Sequence, residues 1–455
     1  MKKTLLLIAL VAISICSRAQ ISTVYTYQFQ HLLDSLCARY KIKGLSAAIY
    51  IPNEGTWNGA SGVSHDNVPI TTDMYFPIGS NTKTFTSAII LKLQEQGKLT
   101  INDTIGKWIQ NPNVSGQITI KQLLHHQSGL YDYSNNPGFS TAFNADFSKI
   151  WAPEDMLQFL KAPVAAPGGQ WDYCNTNYLL LGLIIKQVTG QPLQQTYRDM
   201  IFNPQSLSNT YYCPQEPIPA NVPHGWYWGG GHFGDMQIEA DYTLEAALSS
   251  SCSAGAIMST AEDNVMFWHK MMTGAIINSS SLTQFKETVD IGGGDGYGLG
   301  VFNYHNINGR TVYQHGGTHY GYINENLWDE ETGVCITVLS NQDSLKNPFL
   351  FTKVVMALHR ITTKMPPTAV RDIQKQSKPI LVYPNPASNF IKTDAGTIND
   401  ASYSITDMSG RRVQTGTLTQ GPNTIDIANH TSGMYLINIY NKEGMLSTQR
   451  IQVIQ

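Results

Sequence analysis

Little of this chain is charged. Asp, Glu, Lys and Arg make up 14% of its 455 residues, the formal net charge is −3, and Lys and Arg form no cluster. A nucleic-acid partner needs a basic stripe that neutralises phosphates, and that class of partner is therefore excluded. No two cysteines stand in a Cys-x-x-Cys pair, so the spacing of a zinc site is missing and no metal is expected. Beyond the first twenty residues no apolar run is long enough to span a bilayer, which argues against a transmembrane segment in a processed chain. Cysteine is scarce and odd in number there: Cys37, Cys174, Cys213, Cys252 and Cys335. One or two disulfides are open to such a set in an oxidising compartment, and sequence alone cannot pair them.

What is present begins with an export signal. Lys2 and Lys3 precede the apolar run Leu5 to Ile15, and Ser17 and Ala19 give small residues at cleavage spacing. Cys16 offers a lipid-attachment alternative, but Ile15 before it is not the small residue such a site wants. Residues 1–19 are read as a signal peptide. Hydrophobic residues reach 42%, enough for a large core, and the length suits two or three domains.

Residues 20–362 carry mixed patterns. Phe29, Leu32, Leu33 and Leu36 predict an amphipathic first helix. Leu45 to Ile51 and Thr56 to Val63 predict a strand hairpin around Pro52–Gly55. Phe85, Ala88, Ile89 and Leu93 predict a buried helix stopped by Gly97, with Ser80 in its first turn. Ile118 to Leu124 predicts a helix closed by His125 and His126, a structural turn rather than a metal site. Residues 131–150 and 211–236, aromatic and without period, are expected as loops over a cleft. Leu179 to Val188 is a strongly apolar helix, and Thr260 to Asp263 reads as the capping box of another. Tyr297 to Asn303, Arg310 to Gln314, Tyr322 to Trp328 and Cys335 to Leu339 predict consecutive antiparallel strands before a closing helix, Phe349 to His359. Residues 363–379 form a polar linker, and 380–455 show short β runs that suit a small β-sandwich.

Three features carry chemistry. Ser80 and Lys83 form the only Ser-x-x-Lys in the chain. Three residues apart on a helix, they share a face, and an amine beside a serine hydroxyl can activate it. Unpaired N–H groups at the helix start favour developing negative charge. Tyr173-x-Asn175 stands just before the apolar helix, and His315-Gly316-Gly317 closes a strand. Each motif is weak alone, and their order makes the signal.

In that order, together with Leu123-Leu124-His125-x-x-Ser128-Gly129-Leu130, Ser259-Thr260-Ala261-x-Asp263, Tyr297-Gly298-Leu299-Gly300 and Leu339-Ser340-Asn341, the chain resembles the serine β-lactamase and penicillin-binding protein superfamily. The likeness is to its class C β-lactamase, D-alanyl-D-alanine carboxypeptidase and esterase branch. It implies an α+β fold, an antiparallel sheet flanked by helices with a mostly helical subdomain near residues 100–250, and no cofactor. It implies Ser80 as nucleophile of an acyl-enzyme, and Tyr173 as general base held at low pKa by Lys83. Asn175 would bind the substrate amide and orient Lys83. His315 and Gly317 would line the substrate, and the backbone N–H groups of Ser80 and Thr318 would form the oxyanion hole. His315 stands where lysine is usual, which favours a small ester, amide or peptide-like acyl substrate over a β-lactam or D-alanyl-D-alanine. Two alternatives remain: a true β-lactamase or carboxypeptidase, and a catalytically silent binding protein. Val382-Tyr383-Pro384-Asn385-Pro386, Ser432-Gly433-Met434-Tyr435-Leu436 and Ser447-Thr448-Gln449-Arg450 resemble a type A sorting domain of the type IX secretion system. That likeness implies the secretion machinery as partner, with passage through the periplasm to the cell surface or medium. A substrate- or surface-binding β-module is the alternative.

Overall fold

A computed structural model describes residues 21–229, 232–239, 243–343, 350–364, 380, 382–396, 400–407, 412–441 and 444–454. The chain divides into two compact units, Met1–Pro367 and Thr368–Gln455. The signal-peptide and linker readings fall mostly outside the described residues, and no described helix is long and apolar enough to cross a membrane.

The first unit is built on a nine-stranded antiparallel sheet. Its strands are β1 (Gly44–Ile51), β2 (Gly55–His65), β3 (Val68–Pro69), β4 (Val289–Gly292), β5 (Asp295–Tyr297), β6 (Phe302–Ile307), β7 (Arg310–His319), β8 (Tyr322–Asp329) and β9 (Cys335–Ser340). They lie side by side in the order β3-β2-β1-β9-β8-β7-β6-β5-β4. β1 and β9 pair antiparallel, Leu45 opposite Ser340, so the first hairpin joins strands nearly 300 residues later in the chain. The helices that matter are α1 (Thr23–Tyr40), α2 (Thr82–Glu95), α3 (Asn175–Thr189), α4 (Ala261–Met272) and α5 (Leu350–Thr362). One core cluster joins α1 and α5 to one side of the sheet through Phe29, Leu33, Val338, Val354 and Leu358. A larger cluster gathers α2, α3 and α4.

α2 is apolar or buried on every side: Thr82 to Leu91 and Leu93 are all buried. A helix buried all round is the centre of a large domain, and its polar residues must then find partners. Thr84 Oγ1 donates to Gly300 O at 2.8 Å, Thr86 Oγ1 to Ser253 O at 2.7 Å, and Phe85 stacks on Phe267 with centroids 3.4 Å apart.

Four expectations need correction. Ser80 lies not in α2 but in the 3₁₀ turn Gly79–Asn81 that runs into it, because Thr82 N bonds back to Gly79 O. Residues 131–150 are not all loop: Pro137–Ala145 is a helix with Pro137 at its first turn, Asn136 as cap, and Phe139 and Phe143 buried four apart. The stretch 211–236 is not all loop either, since Trp226–Gly229 pairs with His232–Asp235. Tyr297 to Asn303 is two strands, split where Gly300 takes φ +93° under α2. The five cysteines are all free and buried, so no disulfide forms among them.

The second unit holds two antiparallel sheets. Arg412–Leu418, Ala401–Asp407, Gly433–Asn441 and Gly444–Val453 form one, and Val382–Tyr383, Phe390–Asp394 and Pro422–Asp426 the other. Ile391, Ile405, Ile425, Ile437 and Ile451 fill one core between them, the sandwich read from the β pattern.

Candidate active site

The turn before α2 meets the outer end of β7. β6 pairs with β7 only from Arg310 to Gln314, so His315 to His319 face away from β8 without a β6 partner. Two glycines let the backbones touch there. Gly79 has φ +48°, and a Cβ on it would sit 3.0 Å from Thr318 N and 2.8 Å from Thr318 O. A Cβ on Gly317 would sit 2.8 Å from Ser80 N and 2.1 Å from Ile78 O. A side chain at either position would force apart the two amides that the sequence named as an oxyanion hole. Below the turn, Asn81 Nδ2 donates to Asn324 Oδ1 at 2.6 Å and Asn81 Oδ1 accepts from Trp268 Nε1 at 3.0 Å, which ties the turn to β8 and α4.

Lys83 has 0% exposure. Its Nζ lies 3.0 Å from Ser80 Oγ, 2.9 Å from Asn175 Oδ1 and 3.0 Å from Ala254 O. Burial brings its pKa down to about 7. Asn175 opens α3, and its amide is fixed from behind: Asp132 Oδ2 accepts from Asn175 N at 2.8 Å and Nδ2 at 3.1 Å, and Ser134 Oγ stands 3.2 Å from Nδ2. Both amide hydrogens are thereby engaged and the carbonyl must face Lys83. The geometry serves the orienting role of Asn175 and occupies the donors that the substrate-binding role would use.

Tyr173 lines the same cleft as Ser80, and its ring centroid is 4.9 Å from Lys83 Nζ. Burial pushes its phenol well above the ordinary tyrosine value, with the Ser80 hydroxyl only partly opposing. Burial thus acts against the low pKa that the resemblance implies for Tyr173. Under Tyr173 lies His126, centroids 4.3 Å apart, whose Nδ1 accepts from Cys174 N at 3.1 Å. That bond holds the Tyr173–Asn175 segment in place. Cys174 is buried and points to Leu130 O, away from Ser80.

His315 is neutral. Its Nδ1 bonds Gly316 O at 2.6 Å, its Nε2 lies 3.3 Å from Tyr297 Oη, and burial with Lys83 nearby lowers its pKa to about 3. It offers no cation to a substrate carboxylate. Ser80 and Thr318 are shared by two depressions: a cleft of about 470 Å³ bounded by Trp171, Phe302, Tyr304 and the β7 edge, and a smaller one of about 170 Å³ bounded by Tyr133, Asn175 and Tyr320. Sequence reasoning missed Asp132, Ser134 and Ala254, and named Tyr297 only within a motif, without its contact to His315. Asp132 was detectable as an acidic residue within the long stretch before Tyr173, but nothing local places it behind Asn175.

Residues 29–359 match the beta-lactamase family profile. The chain belongs to the beta-lactamase family. Residues 381–454 match the secretion system C-terminal sorting domain, and that module directs the protein through the type IX system to the cell surface or extracellular space. Penicillin-binding protein 4 of Amycolatopsis lactamdurans is 26% identical over 249 residues, 52% of this chain and 62% of that protein. The chain spans about half to three fifths of the length of the first curated relatives it matches. Among solved structures, a D-stereospecific amidohydrolase from Streptomyces sp. is 26% identical with a TM-score of 0.64 over 74% of this chain and 98% of that one. The D-amino acid amidase of Ochrobactrum anthropi SV3, complexed with D-phenylalanine, is 25% identical with a TM-score of 0.67 over 75% of this chain and 100% of that one.

Proposed function

We propose that this beta-lactamase family protein is an exported serine hydrolase that cleaves a small ester or amide through a Ser80 acyl-enzyme. The observation that carries the reading is the coordination of Lys83. Asn175 Oδ1 and Ala254 O can only accept, so they take two hydrogens of its amine. In the neutral amine the remaining position is the lone pair, and it faces Ser80 Oγ at 3.0 Å. Lys83 is then the base that draws the proton from Ser80 as Oγ bonds to the substrate carbonyl carbon. Tyr173, held protonated by burial beside Ser80 and Lys83, passes a proton to the departing group and recovers one from Lys83. Water then attacks the acyl carbon and gives a proton to the Lys83–Tyr173 pair, which passes one to Ser80 Oγ as its bond to the acyl carbon breaks. The amides of Ser80 and Thr318 face the developing oxyanion, where each such donor contributes about 3 kcal/mol.

The neutral His315 disfavours carboxylate-bearing β-lactams and D-alanyl-D-alanine. The amidohydrolase and D-amino acid amidase neighbours make amides of D-amino acids the first substrates to try. A silent binding protein would have no need of a buried amine with its lone pair on a serine.

The pH profile tests this. Only the neutral amine is a base, so kcat/KM for a neutral ester rises with pH, reaches half its plateau near 7, and stays flat above it because Tyr173 remains protonated. A rise centred near the ordinary tyrosine value, or none, overturns the assignment of Lys83.

A further inference from the structure

A base that gains a proton in a buried place gains a charge that something must hold. Lys83 has 0% exposure, and its three partners, Ser80 Oγ, Asn175 Oδ1 and Ala254 O, are uncharged. When it takes the proton from Ser80 it becomes a buried ammonium, which needs an opposite charge. The titratable groups packed around it supply none. Tyr173 and Tyr178 lie with ring centroids 4.9 and 5.6 Å from Nζ, and burial raises both phenols. Burial likewise raises the Cys174 thiol and lowers the imidazoles of His126 and His315. All five are neutral near pH 7.

The carboxylate that faces Lys83 is Asp132, one amide away. Its Oδ2 accepts from Asn175 N at 2.8 Å and Nδ2 at 3.1 Å, and its Oδ1 accepts from Ser134 N at 2.9 Å and Oγ at 2.8 Å. Two donors on each oxygen is the arrangement of an ionised carboxylate. The Asn175 amide stands between the two groups, with its N–H side on Asp132 and its oxygen 2.9 Å from Lys83 Nζ. Carboxylate and ammonium therefore polarise that amide in the same direction. The charge of Asp132 bears on Lys83 and on Tyr173, and it favours the proton on each. Asp132 lines neither depression beside Ser80, which sets it apart from the groups that meet substrate.

We infer that Asp132 is the positioning residue of the base: it aims the Asn175 carbonyl at Lys83 and, through that amide, holds the positive charge that Lys83 gains from Ser80. This rests on the reading of Lys83 as the base. The arrangement does for an amine, across one amide, what a carboxylate hydrogen-bonded to a histidine base does directly.

The sign of the effect follows. A negative charge facing Lys83 favours its protonated form, so removing that charge lowers the pH at which the amine loses its proton. Asp132 also caps the turn Tyr133–Asn135. If capping were its whole role, its loss would cost folded protein or plateau rate and leave that pH unchanged.

The test is the pH profile of kcat/KM for a neutral ester on the full chain. Wild type is compared with Asp132→Asn, Asp132→Ser and Ser134→Ala, over the range in which circular dichroism shows each folded. The midpoint of the profile does not depend on how much protein is folded. Wild type gives a midpoint near 7. The uncharged variants at 132 move it down by about one pH unit and lower the plateau, because a weaker base serves a less well aimed amine. Ser134→Ala loosens the same turn and keeps the charge, so its midpoint stays with wild type. An unmoved midpoint in the Asp132 variants, an equal shift in Ser134→Ala, or failure of both Asp132 variants to fold overturns the inference and leaves Lys83 as the base. A wild-type profile centred near the ordinary tyrosine value, or no turnover of any ester or amide, overturns both.

Discussion

Ser80→Ala lowers kcat for any ester or amide substrate by about 10⁴-fold or more, because no other group at the site can form the acyl bond. The loss is chemical rather than structural. Ser80 contributes only its hydroxyl, while the turn that holds it is secured by Asn81, Trp268 and the two glycine contacts. The circular dichroism spectrum and urea midpoint therefore stay close to wild type, and the residual rate reports only the oxyanion amides and binding. A loss of tenfold or less would mean that turnover occurs elsewhere.

Lys83→Met lowers kcat by about 10³- to 10⁴-fold, the size of a general base held in hydrogen-bond contact with its nucleophile. Methionine fills the same buried channel and removes the cost of burying an amine. It leaves the carbonyls of Asn175 and Ala254 without a donor, a modest opposing cost because carbonyls tolerate undersatisfaction better than N–H groups. The two effects oppose, so the variant folds. Lys83→Arg separates two accounts of the same residue. A guanidinium keeps the charge and cannot be deprotonated, so it gives no rescue if Lys83 is a base. Recovery of activity by arginine would show that Lys83 acts as a fixed charge instead.

Much of this site was legible from local pattern. Ser80 and Lys83 are paired by their spacing, whereas Tyr173 and Asn175 were named through the order of the motifs and the resemblance it carries. His315 stood out because a ring that is neutral near pH 7 occupies a strand end where a cation is usual. The misread positions share a physical cause. Helix Pro137–Ala145 has too few turns to show a period, although Asn136-Pro137 announces its start and Phe139 and Phe143 its buried face. Ala254 contributes a backbone carbonyl, which no side-chain pattern reveals. Asp132 and Asn175 meet only when the chain folds, 43 residues apart. The pKa of Tyr173 lay beyond sequence altogether, since its direction depends on how completely the ring and its amine neighbour are buried together.

The closed polar network and the open β7 edge divide the work. Lys83, Asn175, Asp132 and Ser134 form a chain of hydrogen bonds that ends on the Ser80 hydroxyl. Beyond Gln314 no described β6 residue pairs with the β7 edge from His315 to His319.

The most direct test is the intact mass of the full-length protein after incubation with a fluorophosphonate, beside the Ser80→Ala protein. The account predicts a single adduct on wild type, mapped to Ser80 by peptide sequencing and formed faster as pH rises through about 7, and none on Ser80→Ala. No adduct on folded wild-type protein, or an adduct that persists in Ser80→Ala, would contradict it.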